Sequence, residues 1–269
     1  MPIRTEAWPQ GTPCWIDCQV DDPAKAGEFY AELFGWEIQD GGPESGGYLM
    51  AAKSGAAAAG IGPKPEPMAG SPSVWTTYFA VDDADASAEA VARAGGRLVV
   101  PAFDVMEFGR MFVAADPTGA VFAVWQARGH NGAAWYSEHG GYVWNELHTH
   151  DFDAAKKFYR DIFGYTYTDF DLGDEKYVTF TPPARTESVG GISDDSAARG
   201  EPAAYWLTWF QFDDVDAGAK RATELGGTVL QPPTDSPVGR STLITAPQGE
   251  VFGIIDPSKR VGEMPAPTS

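Results

Sequence analysis

A long internal repeat constrains the fold of this chain more than any other feature of its 269 residues. The segment CWIDCQVDDPAKAGEFYAELFGW, which starts at Cys14, aligns with VWNELHTHDFDAAKKFYRDIFGY, which starts at Val143. In this alignment Trp15 matches Trp144, and every matched pair is separated by 129 positions. Repetition over a segment of this length indicates that one structural unit has been duplicated.

The same order of segments continues through the rest of each half. VWTTYFAVDDADASAEAVARAGG, from Val74, matches YWLTWFQFDDVDAGAKRATELGG, from Tyr205. GRMFVAADPTGAVF, from Gly109, matches GRSTLITAPQGEVF, from Gly239. The offset changes by only one or two positions between segments, as differences in loop length would produce. The repeat therefore runs through most of both halves.

The ends of the repeat predict the domain organisation. Ala127–Gly141, with the sequence ARGHNGAAWYSEHGG, is rich in Gly, Ala and His and is typical of a connector. We expect a first module over residues 1–126, a connector over 127–141, a second module over 142–257 and a polar tail over 258–269.

Local signals within each copy predict strands and helices in the same order. In the first copy, Cys14–Val20 has the character of a strand, and Asp22 follows it as the cap of a helix. Pro23 suits the first turn of this helix, and Gly35 suits its end, where a left-handed backbone is favoured. Further strands and a second helix follow. Each copy therefore predicts two βαβββ units, and the predicted fold class is α+β.

Glycine and proline mark the expected breaks between strands. Gly60-Ile61 in the first copy and residues 190–192 (GGI) in the second predict turns. Gly62–Pro72 is rich in proline and predicts a long loop at the rim of the first module.

Charge and hydropathy exclude several classes of function. The hydrophobic content of 43% is sufficient for a buried core, and the formal net charge of −19 comes from acidic residues spread along the chain. Such a surface repels phosphate backbones and anionic lipid, so we expect neither nucleic acid nor a membrane as a partner. The sequence has no apolar run of the roughly 20 residues that a spanning helix needs, and its start lacks a signal-peptide pattern. These features predict a cytoplasmic protein.

The two cysteines predict neither a disulfide nor a zinc site. Cys14 and Cys18 are four residues apart in one predicted strand, which places them roughly 13 Å apart, too far to bridge. No CxxC motif or Cys/His cluster accompanies them, so we interpret both as packing residues.

A strand, a capping Asp and a helix that ends in FYxxLFGW are followed by a strand that leads into Asp-Asp, a helix that ends in Gly-Gly, and DPxGxxF. This order of motifs resembles the vicinal oxygen chelate superfamily, which contains the glyoxalase and bleomycin-resistance proteins. The chain is most similar to its two-module actinobacterial branch, whose members are sometimes labelled hydroxylases. The resemblance implies tandem βαβββ modules that pair into a cup-shaped mixed sheet with helices outside.

Catalytic members of this superfamily hold a divalent metal with His and Glu side chains on the floor of the cup. None of the matching positions here is a His, Asp or Glu, and Trp, Leu, Ala and Gly supply no suitable ligand. We therefore expect no metal and no other cofactor at these positions. They are Trp15, Thr76 and Ala123 in the first module, and Trp144, Leu207 and Gly253 in the second.

A relocated metal site would have to use the histidines. His148 could combine with His130, His139 and His150, but their spacing fits no known site. We expect His130, His139 and His150 to be solvated surface residues.

Strand alternation predicts polar groups beside these positions. Asp17 should share a face with Trp15, and Glu146 and His148 should share a face with Trp144. Because Asp17 and Glu146 are equivalent in the repeat, they could form a carboxylate pair near the pseudo-twofold axis. One of the two would then have a raised pKa and act as a general acid or base, with His148 nearby. Alternatively, these carboxylates only accept hydrogen bonds that join the modules.

Aromatic and basic residues predict the walls of a ligand site. Indole rings suit a planar apolar ligand, although the same rings could simply fill the space of an absent substrate. Arg110 and Arg240, each preceded by a glycine, could clamp a ligand carboxylate or form salt bridges. The aromatic candidates are Trp15, Trp144, Tyr78, Trp125 and Trp209.

Two functions fit this pattern. The first is a metal-free small-molecule-binding or accessory protein with a cup lined by tryptophans and a planar aromatic ligand. The alternative is a glyoxalase-like lyase or a dioxygenase/hydroxylase that uses Asp17, Glu146 and His148 as acid–base groups, or a relocated metal. The sequence has no Walker loop, no GxSxG elbow and no GxGxxG fingerprint, which disfavours phosphoryl transfer, serine hydrolysis and dinucleotide binding. Because the paired modules lie in one chain, the protein could be a monomer or a homodimer.

Overall fold

The computed structural model describes residues 3–66, 70–172, 175–196 and 204–268. It has an α+β fold with two eight-stranded mixed sheets and four helices. The predicted fold class is confirmed.

The helices and strands of the two halves follow the same order. Each half supplies eight strands and two helices, with a strand before each helix and three after it. In the first half they are β1 (Pro13–Val20), α1 (Pro23–Phe34), β2 (Glu37–Asp40), β3 (Leu49–Lys53), β4 (Ala56–Pro63), β5 (Val74–Ala80), α2 (Ala84–Arg93), β6 (Arg97–Val105), β7 (Gly109–Ala115) and β8 (Val121–Ala127). In the second they are β9 (Tyr142–Thr149), α3 (Phe152–Phe163), β10 (Thr166–Leu172), β11 (Glu175–Thr181), β12 (Gly190–Asp194), β13 (Tyr205–Gln211), α4 (Val215–Glu224), β14 (Thr228–Ser236), β15 (Gly239–Thr245) and β16 (Val251–Asp256).

Each half of the chain forms one complete sheet. The strand order is β2-β3-β4-β1-β5-β8-β7-β6 in the first sheet and β10-β11-β12-β9-β13-β16-β15-β14 in the second. The central pair is antiparallel in both, and the equivalent registers place Trp15 opposite Tyr78 and Trp144 opposite Trp209. The duplication read from the sequence is therefore a duplication of the whole sheet.

The helix ends are set by the residues that the sequence singled out. The Asp22 carboxylate accepts a hydrogen bond from the Lys25 amide at the start of α1, and Asp151 accepts one from Ala154 at the start of α3. Gly35 follows α1 with a positive φ of 68°, a conformation that glycine adopts without strain. These caps fix the start of α1 and α3 directly after the central strands β1 and β9, and the glycine fixes the end of α1.

The turns predicted at Gly60-Ile61 and at residues 190–192 are wrong, because these residues lie in β4 and β12. The glycines serve close packing instead. A Cβ atom at Gly60 would collide with the phenol of Tyr48, which directly precedes the neighbouring strand β3. Gly62 and Pro63 also belong to β4, and residues 67–69 of the predicted loop Gly62–Pro72 lie outside the described residues.

The two halves interlock through their helices. Tyr30 and Phe34 of α1 pack against Phe252 of the second sheet, with ring centroids 5.7 and 5.9 Å apart. In the reciprocal contact, Tyr159 of α3 packs against Phe122 of the first sheet at 5.6 Å. Each hydrophobic core therefore contains residues of both halves.

Buried hydrogen bonds connect the halves at the same places. The Tyr30 hydroxyl donates to Glu250 Oε1 (3.0 Å) and accepts from Trp75 Nε1 (3.0 Å). At the equivalent place, the Tyr159 hydroxyl donates to Asp116 Oδ2 at 3.0 Å. Burial raises the pKa of the Glu250 carboxyl. Hydrogen bonds from its own backbone amide and from Tyr30 offset part of this increase.

A third polar contact joins the central strands. Asn145 of β9 is completely buried, and its Oδ1 accepts hydrogen bonds from Thr77 of β5 (2.9 Å) and Thr208 of β13 (3.1 Å). Because Thr77 belongs to the first sheet, the Asn145 side chain connects the two sheets by a buried hydrogen bond between their central strands.

The predicted connector packs closely on both halves. The Ala133 amide donates to Cys14 O of β1, and the Trp135 amide donates to Ala57 O of β4. Farther along, the Gly140 amide donates to Gln211 O of β13. This segment thus belongs to the folded body and limits movement of one half against the other.

Cys14 and Cys18 are buried free thiols, as expected for packing residues. Within the described parts of the chain, no helix combines the length and the apolar character that crossing a bilayer requires.

We expect Tyr30→Phe to lower the free energy of unfolding by about 1–3 kcal/mol, because it leaves the buried Glu250 and Trp75 groups without this hydrogen-bond partner. Tyr167→Phe is the matched control, since its hydroxyl donates to Lys156 O at a partly exposed position and its loss should cost less than about 1 kcal/mol. Urea denaturation of both variants measures the difference. Equal losses would contradict a special role for the inter-half network.

Candidate functional site

Alternation along the central strands defines one face of each sheet. Ile16 and Cys18 of β1 are completely buried in the core, so Trp15 and Asp17 lie on the opposite face. We call the face that carries Trp15, Asp17 and Tyr78 the first cup. The equivalent face of the second sheet, which carries Trp144, Glu146 and Trp209, is the second cup.

Asp17 is the polar centre of the first cup. The Tyr78 hydroxyl donates to Asp17 Oδ2 at 2.6 Å, and the Tyr48 hydroxyl lies 3.4 Å from the same oxygen. Trp15 Nε1 donates to the Tyr48 hydroxyl at 3.1 Å. Burial raises the pKa of Asp17 to about 6, and the Tyr78 hydrogen bond offsets part of this effect. Asp17 therefore holds its proton to a higher pH in the folded protein than an exposed aspartate does, and it ionises as pH rises through about 6.

The connector closes the first cup. The His130 ring meets Trp15 edge-on at a centroid distance of 4.6 Å and lies 5.7 Å from Trp125. Trp125 Nε1 donates to the His130 carbonyl at 2.8 Å. Burial lowers the pKa of His130 to about 4, so this ring is uncharged at neutral pH. Trp15, Tyr78 and Trp125 are each less than 8% exposed, and the first cup is thus filled by its own side chains.

The second cup has different polar contacts at the equivalent positions. The Tyr177 hydroxyl donates to Glu146 Oε2 at 2.8 Å and accepts from Trp144 Nε1 at 3.1 Å. Glu146 Oε1 lies 3.0 Å from His148 Nε2, and His148 Nδ1 lies 3.0 Å from Asp195 Oδ2. Glu146, His148 and Asp195 form one chain of charge-assisted contacts, which we call the Glu–His–Asp chain.

The two carboxylates favour a protonated His148. Burial by itself lowers the pKa of this imidazole, but the hydrogen bonds and charges of Glu146 and Asp195 outweigh burial, so the pKa of His148 is raised. The Tyr205 ring stacks on the imidazole with a centroid distance of 4.9 Å and an angle of 7°. This contact fixes the plane of the imidazole and suits a cationic ring.

The second cup is more exposed than the first. The Glu146 and His148 side chains are 16% and 17% exposed, whereas Asp17 is only 2% exposed. Trp144 and Trp209 are also partly exposed. The chain after β16 does not repeat the course of the connector: the Thr268 amide donates to Asp169 O on the edge strand β10.

The structure does not bring the predicted carboxylate pair together. Asp17 lies in the first sheet with Tyr78 and Tyr48, and Glu146 lies in the second sheet with Tyr177 and His148. Each copy of the repeat completes its own sheet, so residues at equivalent positions of the repeat lie in different cups. The prediction that Glu146 and His148 adjoin one another is confirmed.

Arg110 and Arg240 do not line the cups as ligand clamps; they form the salt bridges that the sequence left open as the alternative. Arg110 binds Asp85 of α2 (2.8 Å), and Arg240 binds Asp216 of α4 (2.7 Å). Both arginines project from the helix-covered side of their sheets. Asp85 and Asp216, in the first turns of α2 and α4, are the carboxylates that these arginines reach.

One cavity of about 190 Å³ lies beneath the N-terminal segment at the margin of the first sheet. Its walls include Trp8, Trp125, Gln126 and Asn131. Neither Asp17 nor Glu146 lines this cavity, although Trp125 belongs both to its wall and to the first cup.

Comparison with known proteins assigns the chain to a family. The model of the Glyoxalase/Bleomycin resistance protein/Dioxygenase superfamily matches residues 14–124 and 141–254. The chain belongs to this superfamily.

Two full-length relatives from the superfamily cover most of the chain. CFP32 of Mycobacterium tuberculosis, which is provisionally named a glyoxylase, is 40% identical over 262 residues, covering 96% of this chain and 99% of its own. The anthracycline biosynthesis protein DnrV of Streptomyces peucetius is 35% identical over 265 residues, covering 91% and 93%.

Solved structures of the superfamily share the fold. The Mn(II)-bound glyoxalase of Novosphingobium aromaticivorans has a TM-score of 0.63 at 19% identity, with 96% of this chain and 89% of that chain covered. The 2,3-dioxygenase LapB of Pseudomonas sp. KL28 has a TM-score of 0.63 at 14% identity, with 97% and 96% covered. At these identities, the likeness establishes the arrangement of strands and helices alone.

The residues at the superfamily's metal-ligand positions do not fit a metal. Trp15 and Trp144 use their indole N–H groups to donate to tyrosines and have no lone pair to offer. The Trp209 ring covers the backbone at Gly253, where a Cβ atom would collide with it. Thr76, Ala123 and Leu207 complete the set and add only one hydroxyl.

The histidines do not gather into a relocated cluster. His130 lies in the first cup, His139 contacts Asp213, and His148 lies between two carboxylates. Over residues 3–66, 70–172, 175–196 and 204–268, no three His, Cys, Asp or Glu side chains are placed to share an ion. The expectation that His130 is a solvated surface residue is wrong, since the connector carries it into the first cup.

Several residues of the site were not singled out from the sequence. Tyr48 and Tyr177 are equivalent in the repeat, and each lies over a strand glycine, Gly60 or Gly191. The recurrence of a tyrosine followed by a strand glycine in both copies was the available signal. Asp195 had no local signal, because it reaches His148 through the parallel pairing of β12 with β9. Tyr205 reaches His148 through the antiparallel pairing of β13 with β9.

We expect Asp17 to make stability depend on pH. Because the folded protein raises its pKa from 3.8 to about 6, its contribution is fully present below pH 3.8 and is lost as pH rises through about 6. Asp17→Asn should remove a pH-dependent difference on the order of 2–3 kcal/mol between pH 4 and pH 7. Urea denaturation at a series of pH values measures it, with Asp85→Asn, an exposed ion-pair residue, as the control. Parallel curves for Asp17→Asn and the unmodified protein would contradict the assignment.

NMR titration of the histidines tests the Glu–His–Asp chain. The pKa of His148 should exceed the ordinary 6.5, and Asp195→Asn should lower it, because one of the two compensating charges is lost. His130, with a pKa near 4, is the internal control and should not respond. An unchanged His148 pKa in Asp195→Asn would show that Asp195 does not act on the imidazole.

Proposed function

We propose that this protein is a small-molecule-binding or accessory protein that holds a planar aromatic ligand in the second cup without a metal. The observation that carries this proposal is the contrast between the cups. The first is filled by the connector and its own rings, whereas the second has partly exposed Trp144 and Trp209 beside an ordered polar chain.

Trp144 and Trp209 are suited to a flat ligand. They lie opposite each other in the register of β9 and β13, and Gly253 lets the Trp209 ring lie close to the backbone of β16. Offset stacking against indole rings contributes about 0.5–1.5 kcal/mol beyond the area buried. A cup with such walls and a few fixed polar groups has the composition of ordinary small-molecule sites.

The polar groups would orient the ligand. Tyr177 and Trp144 are joined by a hydrogen bond, and Tyr177 in turn holds Glu146, so the carboxylate has a fixed position beside the indole. A pre-ordered floor of this kind loses little side-chain entropy on binding.

The relatives support the ligand class. DnrV of Streptomyces peucetius is named for anthracycline biosynthesis, and anthracyclines contain a flat polycyclic ring system. An identity of 35% over nearly the whole chain makes a related ligand class a reasonable expectation for the second cup.

The second candidate function is an enzyme that uses acid–base chemistry in the same cup. The contact between Glu146 and His148 supports it, because a carboxylate and an imidazole can together transfer protons. Both residues share a strand face with Trp144, which occupies a metal-ligand position of the superfamily. His148 Nδ1 contacts Asp195, however, and its Nε2 is buried 3.0 Å from Glu146 Oε1, so neither ring nitrogen is open to a ligand. The Glu146 oxygens contact His148 and Tyr177 but keep further lone pairs, so Glu146 is the residue that would accept a proton from a reacting ligand. In Glu146→Gln, changed affinity without loss of turnover supports a binder, and lost turnover with intact affinity supports an enzyme.

Binding of a planar aromatic probe should quench the intrinsic tryptophan fluorescence, and Trp144→Phe and Trp209→Phe should each weaken its affinity. Removing one stacking partner should cost about 0.5–1.5 kcal/mol, or roughly two- to tenfold in Kd. Trp15→Phe, at the equivalent position of the closed first cup, is the matched control and should leave Kd unchanged. Weaker binding in Trp15→Phe but in neither second-cup variant would contradict the proposed location.

A further inference from the structure

Resting on the proposed function, we infer that the second cup selects planar aromatic ligands that carry a cationic amine over neutral and anionic ligands of the same shape. The inference comes from the balance of fixed charges on the cup floor, and it names the chemical class of the ligand beyond its flatness.

The Glu–His–Asp chain has an excess of negative charge. Its two carboxylates, Glu146 and Asp195, flank one imidazole at 3.0 Å on either side. With His148 protonated, the chain carries one net negative charge close to partly exposed indole rings. Aromatic faces and a carboxylate together form a favourable environment for an organic cation.

His148 does not offer a complementary site for an anion. Each of its nitrogens already faces a carboxylate oxygen, and Tyr205 stacks on its ring face. Because Nε2 is also buried, an anionic ligand would meet the carboxylates Glu146 and Asp195 rather than an accessible N–H group. Its negative charge would thus be repelled by the chain.

Basic residues near the second cup are committed elsewhere. Arg240 binds Asp216 and Asp235 on the helix-covered side of the sheet, and Lys176 lies 3.7 Å from Asp194. Lys156 binds Asp169 at 2.7 Å. These basic side chains therefore do not neutralise Glu146 or Asp195. Among the residues of the second half that the structure describes, His148 is the one cationic partner of these two carboxylates.

The equivalent carboxylate of the first cup cannot provide the same selection. Asp17 is 2% exposed and its Oδ2 accepts a hydrogen bond from the Tyr78 hydroxyl, so a bound amine has no access to this carboxylate. An amine-bearing ligand should therefore respond to substitutions of Glu146 and Asp195 and not to substitution of Asp17.

Three anthracene derivatives with the same ring test this inference: 9-(aminomethyl)anthracene, 9-anthracenemethanol and anthracene-9-carboxylate. Their binding is followed by the anisotropy of anthracene emission at pH 7 and low salt. A unit charge near the Glu–His–Asp chain should make the amine bind about tenfold more tightly than the alcohol, and the carboxylate more weakly than the alcohol. Added salt should reduce the difference between the amine and the carboxylate.

Substitutions separate the local charge from the net charge of −19. Glu146→Gln and Asp195→Asn each neutralise the Glu–His–Asp chain and should reduce the amine's advantage over the alcohol to about twofold or less. Glu28→Gln makes the same change in net charge at an exposed position of α1 and should preserve the advantage. Using two different chain substitutions guards against misfolding of one of them.

The outcomes distinguish the two proposals. If the alcohol and the amine both bind in a manner that depends on Trp144, but with equal affinity, the charge inference is overturned and the proposed aromatic site stands. Tighter binding of the carboxylate would also overturn it. If none of the three compounds binds, both proposals fail. If Glu28→Gln reduces the amine preference as much as Asp195→Asn does, the preference arises from the net charge of the protein, and the inference is overturned.

Discussion

The reciprocal packing of helices between the two halves is the contact on which the rest of the structure depends. Tyr30 of α1 reaches Glu250 in the second half, and Tyr159 of α3 reaches Asp116 in the first. Because each helix covers core residues of the opposite half, neither sheet buries its apolar side with its own helices alone. Asn145 then fixes the central strands, and the two cups lie on the opposite faces of their sheets.

The same repeat therefore supports two sites with different properties. The shared scaffold keeps Trp15 and Trp144 in equivalent places, each bonded to a tyrosine. The segment that follows each module makes the difference, since His130 enters the first cup whereas the chain after β16 leads to β10. Consequently the carboxylate of one cup is buried and has a raised pKa, whereas the carboxylate of the other cup is paired with an imidazole.

The sequence predicted those features that depend on local patterns. The order of strands and helices, the caps at Asp22 and Gly35, and the adjacency of Glu146 and His148 all follow from neighbouring residues, and the structure confirms them. The turn at Gly60 was wrong, Asp17 and Glu146 do not form a pair, and Arg110 and Arg240 form salt bridges rather than ligand clamps. Each depended on which strands pair and which face meets which partner, and those relations are set by packing between distant segments. Asp195 belongs to the same class, because only the pairing of β12 with β9 places it beside His148.

The interlocked cores have a consequence for how such a chain can evolve. Cleavage of the chain within the connector and separation of the halves would expose the aromatic core residues that pack against the other half. We therefore expect the two halves to unfold as one cooperative unit. Selection for stability then acts on both halves together. The rings of the first cup, Trp15, Tyr78 and Trp125, belong to a shared core, whereas Trp144 and Trp209 of the second cup lie outside both cores. A duplicated chain of this architecture is free to let one cup close and serve as a scaffold while the chemistry of the other diversifies.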